Sequence, residues 1–193
     1  ESSDHMTGHV GVVGSLKPEL VGNLERMPDS GETVFGTARQ RNAGGKGLNQ
    51  AVAAARLGAS VTMIGAVSAD SAGAFLLGVV GAEGIDDAHI ARVEGLSGTA
   101  VIEVDVKGAN RIIVIPGANA TVSGDQVAAA LAAIPDVGVV ITQGEVPADA
   151  VMAAMRIGRE CGREKLQRDR MAEPQIIGLI DDTHAAASEL PDD

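Results

Sequence analysis

The residues with the clearest potential for chemistry lie in the segment "NAGGKGLNQAVAAARLG", residues 42–58. Three glycines surround Lys46 and precede an alanine-rich run that predicts a helix from Gly47 to about Leu57. Glycine lets a backbone approach a ligand closely, and the free N–H groups of a helix N-terminus point outward, so an oxygen-rich ligand would suit this segment. The spacing Gly-x-x-x-x-Gly-Lys-Ser/Thr of a phosphate loop is absent, however. The glycines are equally compatible with a tight turn that only packs the helix.

Composition and charge limit the class of protein. The 193 residues are 45% hydrophobic with two phenylalanines as the only aromatic residues, which suits one domain with a core of aliphatic side chains. The formal net charge of -11 disfavours a nucleic acid partner, because a phosphate backbone would be repelled. Cys161 is the only cysteine, which excludes an internal disulfide and a thiolate-rich zinc site and fits a reducing compartment.

The sequence shows neither a run of about 18 apolar residues nor a signal peptide. We therefore expect no membrane partner and a cytoplasmic location. The first six residues, "ESSDHM", resemble a remnant of recombinant expression. The fold is accordingly expected to occupy residues 7–193.

Apolar runs and helical segments alternate along most of the chain, which predicts an α/β fold with a parallel sheet. The predicted strands are His9–Ser15, Ser60–Val67, Val137–Gln143 and Ile176–Asp181. Besides the first helix, helices are predicted over Asp70–Gly84, Gly124–Ala133 and Ala148–Gly162. The charged stretch 163–175 is expected to be a solvated loop or an extension of the last helix.

Two segments break this alternation and predict hairpins. Residues 19–40 contain the turn-forming cluster "MPDSGE", and residues 99–116 alternate apolar and polar side chains before the turn "KGAN". We expect the two hairpins to pair into one small antiparallel sheet that projects from the main sheet. Its apolar face would need cover from a substrate or from another subunit.

Four further segments accompany the glycine-rich one in a characteristic order: "VVGSLKPEL", "PDSGETV", "GTAVIEVDVKGANRIIVIPGAN" and "ITQGEVP". Together the five segments resemble the ribokinase family, the phosphofructokinase-B-like carbohydrate kinases, over about residues 10–162. The resemblance implies a doubly wound, mostly parallel sheet with a small β-sheet lid that often mediates dimers. It also implies a sugar and Mg-ATP as partners, allows for a monovalent cation, and predicts a homodimer formed through the lid.

The resemblance also implies particular site residues. Gly45, Lys46 and Asn49 match positions that contact sugar hydroxyls, Glu145 matches an acidic position near the sugar, and Ile112 matches an apolar lid contact. The chemistry is consistent, because a neutral polyol is best recognised by side chains that between them both donate and accept hydrogen bonds.

One departure from the family pattern concerns the loop after the first strand. The family pattern Gly-Ser-x-Asn-x-Asp is replaced here by Gly14, Ser15, Leu16, Lys17, Pro18 and Glu19. Lys17 and Glu19 are therefore candidate substrate-binding residues of altered chemistry. In the extended segment that Pro18 favours, the two side chains share a face and could pair with each other instead of binding a sugar. The identity of the sugar stays open.

The second departure is larger, because the family's Gly-Ala-Gly-Asp and Asn-x-x-Glu motifs do not occur in the sequence. We expect the C-terminal nucleotide-binding half to be absent from this partial kinase domain, which then has no catalytic residue or metal site and is inactive alone. The leading interpretation is a ribokinase-type enzyme that phosphorylates a primary hydroxyl of ribose or a related sugar. The alternatives are a non-catalytic module that binds a sugar or dimerises through its lid, and a nucleoside or sugar-phosphate kinase of the same family.

Overall fold

A computed structural model describes residues 9–168 of the chain. In this part the strands are β1 His9–Val13, β2 Lys17–Leu24, β3 Gly36–Gly44, β4 Val61–Ser68, β5 Asp86–Val93, β6 Thr99–Asp105, β7 Asn110–Ile115 and β8 Val137–Thr142. The α-helices are α1 Lys46–Arg56, α2 Ser71–Ala82, α3 Gly124–Ala133 and α4 Ala148–Arg168, and a short 3-10 helix covers Gly117–Thr121. None of the helices in this range is both long enough and apolar enough to cross a membrane.

The main sheet is parallel and has the strand order β5-β4-β1-β8. Alternate side chains of its central strands point to opposite faces, so that Val12 and Met63 pack under α1 and α2 while Val13 and Ile64 pack under α3 and α4. This three-layer arrangement confirms the predicted doubly wound α/β fold. The strand predicted at Ile176–Asp181 lies outside the described residues.

The pattern of the sequence predicts every strand of the main sheet in this region except β5. That strand lies at the edge of the sheet, begins with Asp86 and Asp87, and buries Ile90 as its one fully covered large side chain. Because an edge strand needs little apolar surface, its hydrophobic run is too short to be recognised from periodicity.

The small sheet has the order β3-β2-β6-β7 and contains both predicted hairpins. Each hairpin is antiparallel, as expected, but the two are joined through the parallel pair β2 and β6, so the sheet is mixed rather than wholly antiparallel. The reason is geometric. Strands β2 and β6 follow the parallel strands β1 and β5 and both leave the same, carboxyl edge of the main sheet, so they run in the same direction.

Asn119 connects the two hairpins where they join the main sheet. Its side chain is buried, accepts a hydrogen bond of 2.9 Å from Leu16 N–H and donates one of 2.9 Å to the Leu16 carbonyl. It also donates to the Pro116 carbonyl at 3.1 Å. The Asn119 amide thus forms the two backbone hydrogen bonds of Leu16 that a neighbouring strand would otherwise form. Its bond to Pro116 holds the start of β2 beside the end of β7.

The glycines around Lys46 allow two chain segments to cross in contact. A Cβ atom on Gly47 would lie 2.7 Å from both Gly14 Cα and Ser15 N. Gly45 has a φ of 96°, in the left-handed region that favours glycine, and a Cβ there would lie 2.7 Å from the Ser15 carbonyl oxygen. The loop after β1 therefore sits directly on the start of α1.

Two glycine substitutions, one at the crossing and one away from it, should have opposite effects on the stability of the fold. Gly47→Ala should lower the free energy of unfolding by roughly 1–3 kcal/mol, because the added methyl group meets backbone that cannot rotate away. Gly78→Ala is the matched control, since a Cβ on this exposed residue of α2 meets no atom within 4 Å; it should raise stability by about 0.5–1 kcal/mol. Urea unfolding measures both, and a stabilising Gly47→Ala would contradict the crossing.

Candidate functional site

The carboxyl ends of β1 and β8 meet at the point where the strand order reverses. The chain leaves β1 toward β4 on one side, whereas β8 lies on the other side of β1. In open α/β sheets the connections diverge at such a switch point and leave a crevice, which is where ligands characteristically bind. A cleft of about 380 Å³ lies here, with Ser15, Lys17, Val114, Asn119 and Glu145 among its lining residues.

Glu145 is the centre of the polar contacts in this cleft. Its Oε2 atom accepts hydrogen bonds from Ser15 Oγ at 2.5 Å and from the backbone N–H of Lys46 at 3.0 Å. The same oxygen lies 2.9 Å from the ammonium nitrogen of Lys17. These donors come from the loop after β1, the start of β2 and the start of α1, so one carboxylate oxygen joins three segments that are distant in sequence.

The environment of Glu145 stabilises its charged form. Partial burial alone would raise the pKa of the carboxyl group, but the hydrogen bonds from Ser15, Lys17 and the Lys46 N–H together outweigh it, and the pKa lies below the ordinary value of 4.5. Glu145 is therefore an anion at neutral pH, with an adjacent cation in Lys17.

The Glu145 carboxylate also occupies the N-terminus of α1. Gly45 provides no side-chain cap, and the first N–H group of the helix donates to Glu145 instead. The partial positive charge of a helix N-terminus favours an anion, and here the protein supplies that anion itself. A phosphate group at this position would be repelled by the carboxylate, which argues against phosphate binding by the glycine-rich segment.

The possible pair between Lys17 and Glu19 does not form. Lys17 is 4% exposed and points to Glu145, whereas the Glu19 carboxylate lies against Gly44 in the space that a side chain at that position would fill. Lys17 and Glu19 share one face of β2, but this does not determine the partner of Lys17. The loop after β8 lies nearby, and its partly buried Glu145 carboxylate pairs with Lys17 instead.

The structure brings only some of the predicted site residues to the cleft. Lys17 and Glu145 line it, and Lys46 contributes its backbone N–H, while Gly45 is buried beneath it. Asn49 is exposed and lines a separate cleft of about 320 Å³ that also includes Arg56 and Glu83.

Ile112 also lies outside the lining of the Glu145 cleft. It is half-exposed on β7, two residues before Val114 and on the same face of the strand. Val114 is the side chain of β7 that reaches the cleft. The contact of Ile112 with a sugar stays a prediction, and Val114 is the neighbouring apolar side chain on the same face that lines the cleft.

Three polar residues of this region were not singled out from the sequence. Ser15 donates to Glu145, Asn119 fixes the start of β2, and Gln143 is buried at the end of β8, where its Nε2 donates to Gln50 Oε1. Their positions in the sequence could have identified them. Each of the three residues follows a strand or turn that ends at the carboxyl edge of the main sheet, where side chains converge. Across residues 9–168, no group of three or more His, Cys, Asp or Glu side chains is arranged to hold a metal ion.

The lowered pKa of Glu145 predicts a specific pH dependence of stability. A carboxyl group whose pKa is lower in the folded state stabilises the fold above its unfolded value, here 4.5, and loses that contribution as the pH falls through the lower folded value. The stability difference between the wild type and Glu145→Gln should therefore be largest at neutral pH and shrink below pH 4.5.

Urea unfolding at a series of pH values measures this difference. Glu94→Gln is the control, because Glu94 is exposed and has no ion pair within residues 9–168. A difference between wild type and Glu145→Gln that does not change between pH 3 and pH 7, values chosen as roughly bracketing the titration, would contradict the role of the charge.

Comparisons with known proteins agree with this architecture. The sequence model of the pfkB family carbohydrate kinase matches residues 8–187. The chain is 43% identical over 141 residues to the ribokinase of Bacillus subtilis (strain 168), which covers 72% of this chain and 48% of that protein. It is 36% identical over 173 residues to the ribokinase of Lactococcus lactis subsp. lactis (strain IL1403), covering 89% of this chain and 57% of that protein.

A solved structure shows the same fold at lower identity. The Arabidopsis thaliana ribokinase complexed with ribose and ATP matches with a TM-score of 0.67 and 27% identity, over 81% of this chain and 52% of that chain. The chain thus spans about half the length of the relatives it matches. With the family match extending over nearly all of its residues, the chain belongs to the pfkB family of carbohydrate kinases.

Proposed function

We propose that this chain is the sugar-binding part of a ribokinase-type kinase, which uses Mg-ATP to phosphorylate a primary hydroxyl of ribose or a related sugar. The observation that carries the proposal is the cleft at the switch point, where Lys17, Glu145 and Ser15 converge beside the apolar Val114. Its volume of about 380 Å³ lies within the range of small-molecule sites. The relatives named ribokinase support the reaction type.

The charges in the cleft favour a neutral sugar over a sugar phosphate. Lys17 is the cationic side chain that lines the cleft, and Glu145 neutralises it at 2.9 Å. A phosphate group would have to compete with this carboxylate for the same ammonium group. A nucleoside is less well supported, because Phe75 lies under Arg41 and Phe35 is 92% exposed, so neither lines the cleft for base stacking.

The described residues do not fit a Mg-ATP site. The N-terminus of α1 already binds Glu145, and residues 9–168 contain no cluster of acidic side chains suited to a metal ion. We therefore assign no phosphoryl-transfer step to these residues. Their proposed role is to bind the acceptor sugar and to orient its hydroxyl groups, and the 193-residue chain alone is proposed not to turn over ATP.

Sugar binding by the 193-residue chain tests the proposal directly. D-Ribose at about 100 times its dissociation constant should stabilise the fold by about 2.7 kcal/mol, seen as a rise in melting temperature, and calorimetry should give one site per chain. Glu145→Gln should weaken binding at least about tenfold, since it removes a charged acceptor from the cleft, whereas Glu94→Gln should bind as the wild type does. Failure of pentoses, hexoses and nucleosides alike to bind would contradict the proposal.

The second candidate is a non-catalytic sugar-binding module, which is supported by the N-terminus of α1, since Glu145 already occupies that possible anion site. Both candidates predict that the chain binds a sugar, but they predict different masses for the natural protein. Mass spectrometry of the protein from its natural source distinguishes the two, because a mass near 19.5 kDa supports the module and a mass about 1.5 times as large supports the kinase.

The small sheet is the proposed surface for a homodimer. Its outer strand β7 exposes four successive apolar residues, of which Ile113 is 59% exposed and Ile115 is 52% exposed. These two point away from the face that carries Val114, so a second copy could cover them without filling the cleft.

Replacing an apolar side chain of β7 by a charge tests the dimer. Ile113→Glu should shift the protein to monomers in analytical ultracentrifugation, because burying an unpaired carboxylate at an interface is costly. Val106→Glu is the control, since Val106 is 75% exposed in the turn between β6 and β7. Equal association of all three proteins, or a wild type that is monomeric at every concentration, would contradict a dimer formed at β7.

A further inference from the structure

The edge strand β3 of the small sheet is held against α2 by one arginine side chain. The guanidinium carbon of Arg41 lies 4.3 Å from the centre of the Phe75 ring, and its Nη2 atom donates a hydrogen bond of 3.4 Å to the Ser71 carbonyl. A guanidinium group over an aromatic ring is attracted by the negative face of the ring. Arg41 therefore joins the small sheet to the first turns of α2.

The strand register places this contact on the face of the small sheet that is turned away from the cleft. Residues paired across neighbouring strands share a face, and successive residues of a strand alternate between the two faces. Val114 of β7 pairs with Ala100, which pairs with Glu19. Glu19 in turn pairs with Asn42 of β3. Because Val114 lines the cleft, Arg41, the residue before Asn42, points from the opposite face.

The face toward the cleft carries apolar surface that is only half covered. Ile112 and Val114 of β7 are both half-exposed on this face. All four strands meet the main sheet at the same end, since β2 and β6 begin there and β3 and β7 end there. A rotation about these connections toward the cleft would bury both side chains and exclude water from a bound ligand. The contact of Arg41 with α2 opposes this rotation, because it holds the other face.

We propose that Arg41 and Phe75 form a latch that keeps the small sheet in the position seen here, in which the cleft is open, and that ligand binding in the cleft competes with this latch. The inference goes beyond the proposed function, because it assigns a regulatory role to a contact outside the cleft. It rests on that function for the ligand, a neutral sugar.

The latch is weak enough to be released by a ligand. Within residues 9–168 no carboxylate forms an ion pair with Arg41, and the guanidinium group lies beside the N-terminus of α2, whose partial positive charge disfavours a cation. A cation–π contact at an exposed site shifts an equilibrium between two positions by roughly two- to fivefold. The latch thus tunes the opening of the cleft without locking it.

A pair of spin labels measures the position of the small sheet without any ligand. One label is attached at Val106→Cys in the turn between β6 and β7, and the other at Gly78→Cys on the exposed side of α2, in a Cys161→Ser background that removes the only native cysteine. Arg41→Gln should shift the distances to longer values, because the sheet leaves α2. Arg39→Gln is the matched control, since Arg39 lies on the same face of β3 and makes no hydrogen bond or ion pair within the described residues.

Calorimetry with D-ribose tests the competition. A site that is competent in only a fraction of the molecules has its apparent affinity reduced by that fraction. Arg41→Gln should therefore bind D-ribose about two- to fivefold more tightly than the wild type. Phe75→Leu should do the same, and the double variant should bind no more tightly than either single variant, because both changes remove one contact. Arg39→Gln should bind as the wild type does.

The direction of the effect separates a latch from a purely structural contact, whose loss would weaken binding. Unchanged distances in Arg41→Gln would overturn the inference, and so would equal or weaker binding of D-ribose by this variant, while the proposed function would stand. If neither the wild type nor any variant binds a sugar, the proposed function is contradicted, and a shift to longer distances in Arg41→Gln still supports the latch.

Discussion

The contact on which the candidate site depends is the one between Glu145 Oε2 and its three donors. Ser15 Oγ, Lys17 Nζ and the Lys46 N–H reach this oxygen from a loop, a strand and a helix that belong to different parts of the chain. A single charged acceptor can hold three segments because hydrogen bonds to an ion are stronger than those between neutral groups. Without it, the N-terminus of α1 would lack its capping anion and Lys17 would be a buried, unpaired cation.

The backbone makes this contact possible by bringing the segments close together. Gly45 and Gly47 let the start of α1 lie on the loop after β1, with no side chain between them. Asn119 then fixes Leu16, next to Lys17, beside the end of β7. The small sheet is consequently anchored at the same edge of the main sheet where the cleft opens, and its position decides which side chains, such as Val114, form the cleft wall.

Local patterns in the sequence predict most elements of the fold. Periodicity identifies the central strands and the helices, and the turn residues identify both hairpins. Local patterns do not show which distant segments pair with each other. For this reason the structure differs from the sequence-based expectation in two pairings. The parallel pair of β2 and β6 follows from the direction in which both leave the main sheet, and the Lys17–Glu145 pair follows from the adjacency of β1 and β8.

The directions of the side chains at the site could not be predicted from local patterns either. The resemblance to sugar kinases identifies the segments that meet at the cleft, and Glu145 and the Lys46 backbone are found there. The direction of each side chain depends on the rotation of its element, however. Asn49 lies on a face of α1 that borders the neighbouring cleft, and Ile112 lies one strand repeat away from Val114. Such details are set by packing rather than by motif.

The central claim is that the cleft at the switch point, and not the neighbouring cleft beside Asn49, binds the sugar. A crystal structure of the protein with D-ribose tests it most directly. We expect sugar density between Lys17, Glu145 and Val114, with hydroxyl groups within hydrogen-bonding distance of the Lys17 ammonium group and the Glu145 carboxylate. Sugar bound between Asn49, Arg56 and Glu83, with the Glu145 cleft filled only by water, would contradict it.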